Sequence, residues 1–197
     1  MKARLSSELV GFSLFLAAAL LCASGRTQKP AGDLASFERK LDHIERNGRA
    51  AHPDPAPTVF TEAEVNAYLA SDQLGFPAGV QSLRIEGQPQ TLSGTTRVDF
   101  DRLRAGARGS SPLLDIFSGV HDVLVVTHVY GARGQAYVHV DSVSLDGVEV
   151  PRFLVRLFIE KYIQPEYPQV GLDSRFSLPN RIDSAEVGRH TLTVTQR

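Results

Sequence analysis

Residues 121–145 read HDVLVVTHVYGARGQAYVHVDSVSL. Two runs rich in β-branched and aromatic side chains flank Gly131-Ala132-Arg133-Gly134, the signature of an antiparallel hairpin pairing His121–Tyr130 with Gln135–Leu145. In the second run Ala136, Val138 and Val140 share one face, but Val143 and Leu145 then carry the apolar pattern. The parity flips between Val140 and Val143. One extra residue, a β-bulge, is its simplest cause, and it bends the strand, so the sheet is expected to curve. Placing Tyr130 opposite Gln135 sets His128 against Tyr137, Val126 against His139 and Leu124 against Asp141. His128, His139 and Asp141 then lie on one face, within side-chain reach of each other.

Strand patterns continue on both sides. Val80–Gly87 reads as a strand, and Leu92–Phe100 alternates, with Leu92, Thr96, Val98 and Phe100 on one face. Asp146-Gly147 marks a tight turn. Near the end, Asp183–Val187 and His190–Gln196 flank Gly188-Arg189 as a second hairpin. Helices intervene. Leu34, Phe37, Leu41 and Ile44 form one amphipathic stripe that ends near Asn47-Gly48. Thr61-Glu62-Ala63-Glu64 has the form of a capping box, with Phe60 and Val65 placed as its hydrophobic staple. Ser111-Pro112 opens a short helix over Leu113–Ser118, and Pro151 opens another over Arg152–Ile163. The sum is α+β: a curved antiparallel sheet of about six strands with helices packed on one face.

The chain has 197 residues, 42% apolar and 22% charged, with a formal net charge of −1. That is ordinary globular composition, without the basic field that grips nucleic acid. The single cysteine, Cys22, permits neither an intrachain disulfide nor a Cys-based zinc site. Lys2 and Arg4 precede a 14-residue apolar run, Leu9–Cys22, followed by the small residues Ala23, Ser24 and Gly25. This is a secretory signal layout, and the run is short for a membrane span. Residues 1–25 are therefore expected to be a signal peptide, with acylation at Cys22 or retention as an anchor as alternatives. Their removal takes away two positive charges and one negative, moving the net charge from −1 to −2. Residues 26–57 read as a tether and amphipathic helix with a Pro-rich linker, and 58–197 as a single α+β domain. The expected location is periplasmic or secreted.

Function is sought first in apolar excess. Eight of the twelve residues in Arg152–Ile163 are apolar, while Arg152, Arg156 and Glu160 keep to one narrow stripe. A helix lying on a sheet needs an apolar stripe of roughly 100°. Leu113, Leu114, Ile116 and Phe117 repeat the pattern. These helices are expected to shelter an apolar ligand against the sheet, in a groove formed by Leu113, Leu114, Phe117, Phe153, Leu157 and Phe158. The alternative is that the same faces dock an envelope protein partner and leave no cavity. Contact with a membrane surface fits either reading.

Chemistry-bearing clusters weigh less. His128, His139 and Asp141 have the ligand types for a metal, but not a metal-site spacing, and the exposed face of a strand carries such residues anyway. Asp99 and Asp101 point the same way on a strand, with Asp101 placed to cap the residues after it. Ser110 and Ser111 lack a nucleophile-elbow frame. Arg102, Arg104 and Arg108 form a small basic patch with no interleaved aromatics for stacking bases. No catalytic residue, metal or cofactor is assigned, so the expectation is a non-enzymatic binding protein.

The exported N-terminus, the capped opening FTEAEVNAYL at 60–69 and the ending FSLPNRI at 176–182 before a hairpin carry a further resemblance. In element order over residues 58–196 the chain resembles bacterial envelope proteins of tubular-lipid-binding-like fold, relatives of the mycobacterial lipomannan-elongation lipoprotein. The resemblance implies lipid binding under a curved sheet, without catalytic residues. It transfers no individual ligand-binding residue. The Leu34–Ile44 helix and the lack of a small residue before Cys22 depart from that family.

Overall fold

The computed structural model describes residues 31–71, 73–74, 76, 79–106, 117–165 and 167–197. Its elements in chain order are α1 Ala31–Gly48, β1 Thr58–Thr61, α2 Glu62–Leu69, β2 Val80–Gln88, β3 Thr91–Asp99 and α3 Phe100–Gly106. There follow β4 Val120–Ala132, β5 Gln135–Leu145, β6 Val148–Glu149, α4 Arg152–Phe158, β7 Asp173–Ser177, β8 Ile182–Gly188 and β9 Thr191–Gln196. Among the described residues the fold is mixed, 28% helical and 44% strand, around one antiparallel sheet that does not close. The sheet has nine strands among the described residues, where about six were expected. The additional ones include β1, β6 and β7, of four, two and five residues, which are too short or too polar for a pattern to mark.

The β4–β5 hairpin is the spine. Each of its outer edges is shared by strands lying end to end. On the β4 side, β3 pairs Val120–His128, and β8 takes over at Gly131↔Ala185. On the β5 side, β7 pairs Gln135–His139, and β6 pairs Ser144 and Leu145. β8–β9–β1 then extend the sheet beyond β4. Gly131 is what lets β8 in. A Cβ there would sit 2.9 Å from the Ala185 nitrogen and 3.0 Å from its Cβ, closer than atoms tolerate.

The hairpin register differs from the expected one. Gly131 and Ala132 stay in the strand, and the turn is Arg133-Gly134 alone, with φ of 55° and 71°. This two-residue turn with both φ positive matches the twist of the strands it joins. Pairing therefore moves by two residues, setting Tyr130 opposite Tyr137 and His128 opposite His139. Because the slip is even, every side chain keeps its face. The bulge is where the parity flip placed it: Thr127 pairs with Val140 and Val126 with Ser142, leaving Asp141 as the extra residue. The final hairpin turns at Arg189-His190, one residue later than expected, with His190 at φ 56°.

The buried face of the sheet and the helices make one core. Leu83, Ile85, Leu92, Val98, Val129 and Val138 join Phe37 and Ile44 of α1 and Val65, Tyr68 and Leu69 of α2. The Phe37 ring stacks on Tyr68 at 4.4 Å and tilts against Phe60 at 5.0 Å. Thus α1, read from the sequence as part of the segment ahead of the domain, is packed into the same interior. Its C-terminal end is tied down by the buried Gln196 amide. The amide nitrogen donates to the Ile44 carbonyl at 2.8 Å and the Asn180 carbonyl at 2.6 Å, and its oxygen accepts from Asn47 at 2.9 Å. A Cβ on Gly48 would lie 2.4 Å from the Asn180 oxygen, so the helix end needs glycine to approach that loop.

The capping box at α2 forms as its sequence dictates. Thr61 Oγ1 accepts from the Glu64 amide at 3.2 Å, and Glu64 Oε2 accepts from the Thr61 amide at 2.7 Å. Asp101 does not cap the helix that follows it. Asp99 does so, accepting from the Arg102 amide at 3.0 Å, while Asp101 Oδ2 accepts from the Gly119 amide. Asp99 directly precedes the helix start at Phe100, so its carboxylate reaches the free amides of the first turn, whereas Asp101 already lies inside that turn.

Candidate functional site

Two surfaces carry the residues singled out in the sequence. The first is α4 and its continuation. The helix reads RFLVRLF, then widens at Ile159–Ile163 into a π-helical turn. Pro151 precedes it and supplies no side-chain cap. None of its seven residues is buried. Phe153 is 62% exposed and Leu157 43%, and they stand one turn apart at i and i+4. Arg152, Arg156 and Lys161 are also exposed, against the single exposed carboxylate of Glu160. A basic ridge therefore runs beside an apolar one. The π-helical turn is the anchor: Ile159 is buried, and Phe158, Tyr162 and Ile163 pack partly buried on the core. Phe158 and Tyr162 rings meet at 4.9 Å.

Of the six residues expected to form an apolar groove, four are described: Phe117, Phe153, Leu157 and Phe158. Leu113 and Leu114 lie outside the described residues. Phe117 packs against Phe100 at 5.4 Å and belongs with the core. Phe158 likewise packs inward, while Phe153 and Leu157 are exposed. On α4 the apolar excess read from the sequence is open surface at Phe153 and Leu157, while Leu154, Val155 and Phe158 are half-buried. Periodicity counts apolar residues on each stripe; it carries no record of which stripe the sheet covers.

The second surface is the exposed face of the sheet at the closed end of the spine. His128, His139 and Asp141 do meet there, and β7, missed in the sequence, adds Asp173 and Arg175. His128 Nδ1 lies 2.7 Å from Asp141 Oδ2, and His139 Nδ1 lies 2.5 Å from Asp173 Oδ1. His139 Nε2 is 3.9 Å from the other Asp141 oxygen. Alongside, Tyr130 and Tyr137 stack at 4.8 Å, and the Arg175 guanidinium lies over Tyr137 at 5.2 Å. His128, Tyr130, Tyr137, His139, Asp173 and Arg175 border an open depression of about 330 Å³. Among the described residues no group of three or more His, Cys, Asp and Glu is arranged to hold a metal ion.

The same imidazole–carboxylate pairing recurs at two other places. His121 Nδ1 lies 2.6 Å from Asp146 Oδ2, with its Nε2 3.0 Å from the Ser118 carbonyl. The hydrogen bond to Asp146 raises the His121 pKa above 6.5, and His121 in turn holds Asp146 below 3.8. His190 Nδ1 lies 2.7 Å from Glu62 Oε2, which also accepts from the Gly87 amide. Burial pushes Glu62 upward, but His190 and the Gly87 amide together leave it below 4.5. These two pairs tie turns to neighbouring elements.

Comparison with protein-family models, curated protein sequences and solved structures finds no match for the chain. Among the described residues no helix is long and apolar enough to cross a membrane.

Proposed function

We propose that this is an exported, non-enzymatic protein that binds a lipid-like ligand, and that it meets the lipid at α4, on a membrane surface bearing anionic headgroups. The observation that carries the reading is the helix without a buried residue, its Phe153 and Leu157 exposed beside Arg152 and Arg156. An amphipathic segment with apolar residues along one ridge and Arg or Lys along the next lies in the bilayer interface. The signal-like N-terminus and the resemblance to envelope lipid-binding proteins support the same location and ligand class.

The expected strength is modest. Burying a Phe or Leu side chain fully is worth about 1.5–3 kcal/mol, and each cation near an anionic surface adds about 1 kcal/mol. Ordering costs subtract from that sum, so attachment is reversible. Vesicle co-sedimentation of the full chain tests it. Phosphatidylcholine vesicles containing phosphatidylglycerol should retain the protein, pure phosphatidylcholine should retain less, and added salt should release it. Leu157→Ser with Phe153→Ser should weaken retention by more than about tenfold without unfolding the protein. No retention on the anionic vesicles, or retention untouched by the double substitution, refutes the reading. The alternative reading, that these side chains dock an envelope protein partner, then takes its place.

A further inference from the structure

The exposed sheet face at the closed end of the spine carries two adjacent ladder rows. One is Tyr130–Tyr137–Arg175 and the other is His128–His139–Asp173, each running across β4, β5 and β7 in register. Rows two residues apart on one face stand about 7 Å from each other. The first row is a stacked platform. Tyr137 is covered by Tyr130 at 4.8 Å and by Arg175 at 5.2 Å, and Tyr130 remains 52% exposed. The second row is a rail of paired polar groups. With each Nδ1 engaged by a carboxylate, the ring orientation is set; His139 Nε2 faces the second Asp141 oxygen at 3.9 Å, while the His128 Nε2 edge and the second Asp173 oxygen offer hydrogen-bonding capacity. Asp141 joins the rail because the bulge adds one residue to β5 opposite β4.

We infer that this face is a binding site for a neutral glycan chain. A pyranose ring has an apolar C–H face and a rim of hydroxyls that both donate and accept. Both faces of Tyr137 are covered, so the outer ring face of Tyr130 is the partner for that C–H face, and the imidazole–carboxylate row offers acceptors and donors one row away. The depression is open and about 330 Å³, which suits a chain lying across a sheet. Other ligand classes fit poorly. A phosphate or nucleic-acid backbone would face two carboxylates, with Arg175 already set over Tyr137. An acyl chain would find polar groups along one whole side. The site is separate from α4 and does not depend on how α4 is used.

Titration calorimetry and amide chemical-shift mapping of the full chain with chitotetraose, cellotetraose and maltotetraose test the inference. At least one should bind with Kd of about 0.1–1 mM, with shifts concentrated at residues 128–130, 137–141 and 173–175. Tyr130→Ala should weaken binding at least tenfold and Tyr130→Phe should restore most of it, since the ring is the platform. Asp173→Asn should weaken it severalfold. Arg84→Ala, exposed on β2, should leave it unchanged. No binding of any of the three sugars at about 10 mM overturns the inference, as does binding whose shifts fall elsewhere on the wild-type protein. The shift map needs no variant, so it decides the matter even if a substitution disturbs the fold.

Discussion

Helices α2 and α4 are nearly the same length, eight and seven residues, and by composition α4 is the greasier. Yet α2 buries five residues, including the charged Glu64, and α4 buries none. The difference lies in what holds the ends. α2 follows directly on β1, whose Phe60 is 0% exposed, and its first turn is closed by a capping box. Lys40 of α1 then reaches both oxygens of Glu64, at 2.6 and 2.7 Å. α4 has no side-chain cap, and its anchor is the π-helical turn beyond its C-terminal end. Apolar content states what a helix can bury; the attachment of its ends decides what it does bury.

The comparison breaks most visibly at its two extremes. Phe60→Ala should cost about 3–5 kcal/mol, because it opens a cavity beside Phe37. Leu157→Ala should change stability by no more than about 0.5 kcal/mol, since it removes exposed surface. Urea denaturation of the two variants measures both. Equal losses would mean that α4 is as much a part of the core as β1, and the contrast would be gone.

Acid sharpens the same contrast. Burial raises the pKa of Glu64, but Lys40, Ser36 and the Thr61 amide outweigh it and bring the value from 4.5 to about 2. A carboxylate with a depressed folded-state pKa stabilises above its unfolded value and loses that contribution as pH falls through the folded one. The stabilisation should therefore be complete above about pH 4.5 and fade toward about pH 2, amounting to about 3 kcal/mol at most. Glu64→Gln should be less stable than wild type at neutral pH, and the gap should close on acidification. Parallel pH profiles for the two proteins would show that the ion pair contributes nothing.

How far the sequence discloses this molecule depends on the range of each signal. The capping box at Thr61, the bulge at Asp141 and the alternation from Leu92 to Phe100 were all legible, since each is written in neighbouring residues. The two-residue slip in the hairpin was not. Gly131 looks like a turn glycine, but it serves close approach by Ala185, a residue of another strand. β7 was missed because DSRFS has little apolar content, and its pairing with β5 is a long-range fact. That omission hid Asp173 and Arg175 of the exposed-face site, although His128, His139 and Asp141 were grouped correctly. On α4 the apolar excess was legible and its direction was not.

The smallest expected effect belongs to His121, which joins the start of β4 to the Asp146-Gly147 turn. Asp146 Oδ1 accepts from the Asp122 amide at 2.8 Å, and the Asp146 amide donates to the Asp122 carbonyl at 2.8 Å. Both residues of the turn have positive φ, 49° and 81°, so the imidazole contact steadies a conformation that Asp146 does not favour by itself. A histidine with a raised folded-state pKa stabilises fully below 6.5 and loses that contribution as pH rises through the folded value. Asp146 sets the lower limit: its pKa is depressed below 3.8, so its share appears above that value and fades in acid. The tie is therefore strongest in mildly acidic solution and loosens in alkali. Imidazole resonances should give His121 a midpoint above 6.5, and the Asp122 and Asp146 amides should exchange faster once His121 has lost its proton. His121→Asn should abolish that pH dependence while leaving the Phe60 core intact. A His121 midpoint at or below 6.5, or amide protection independent of its titration, would show that the contact holds nothing. The Asp146-Gly147 turn would then rest on the bonds of Asp146 to the Asp122 backbone.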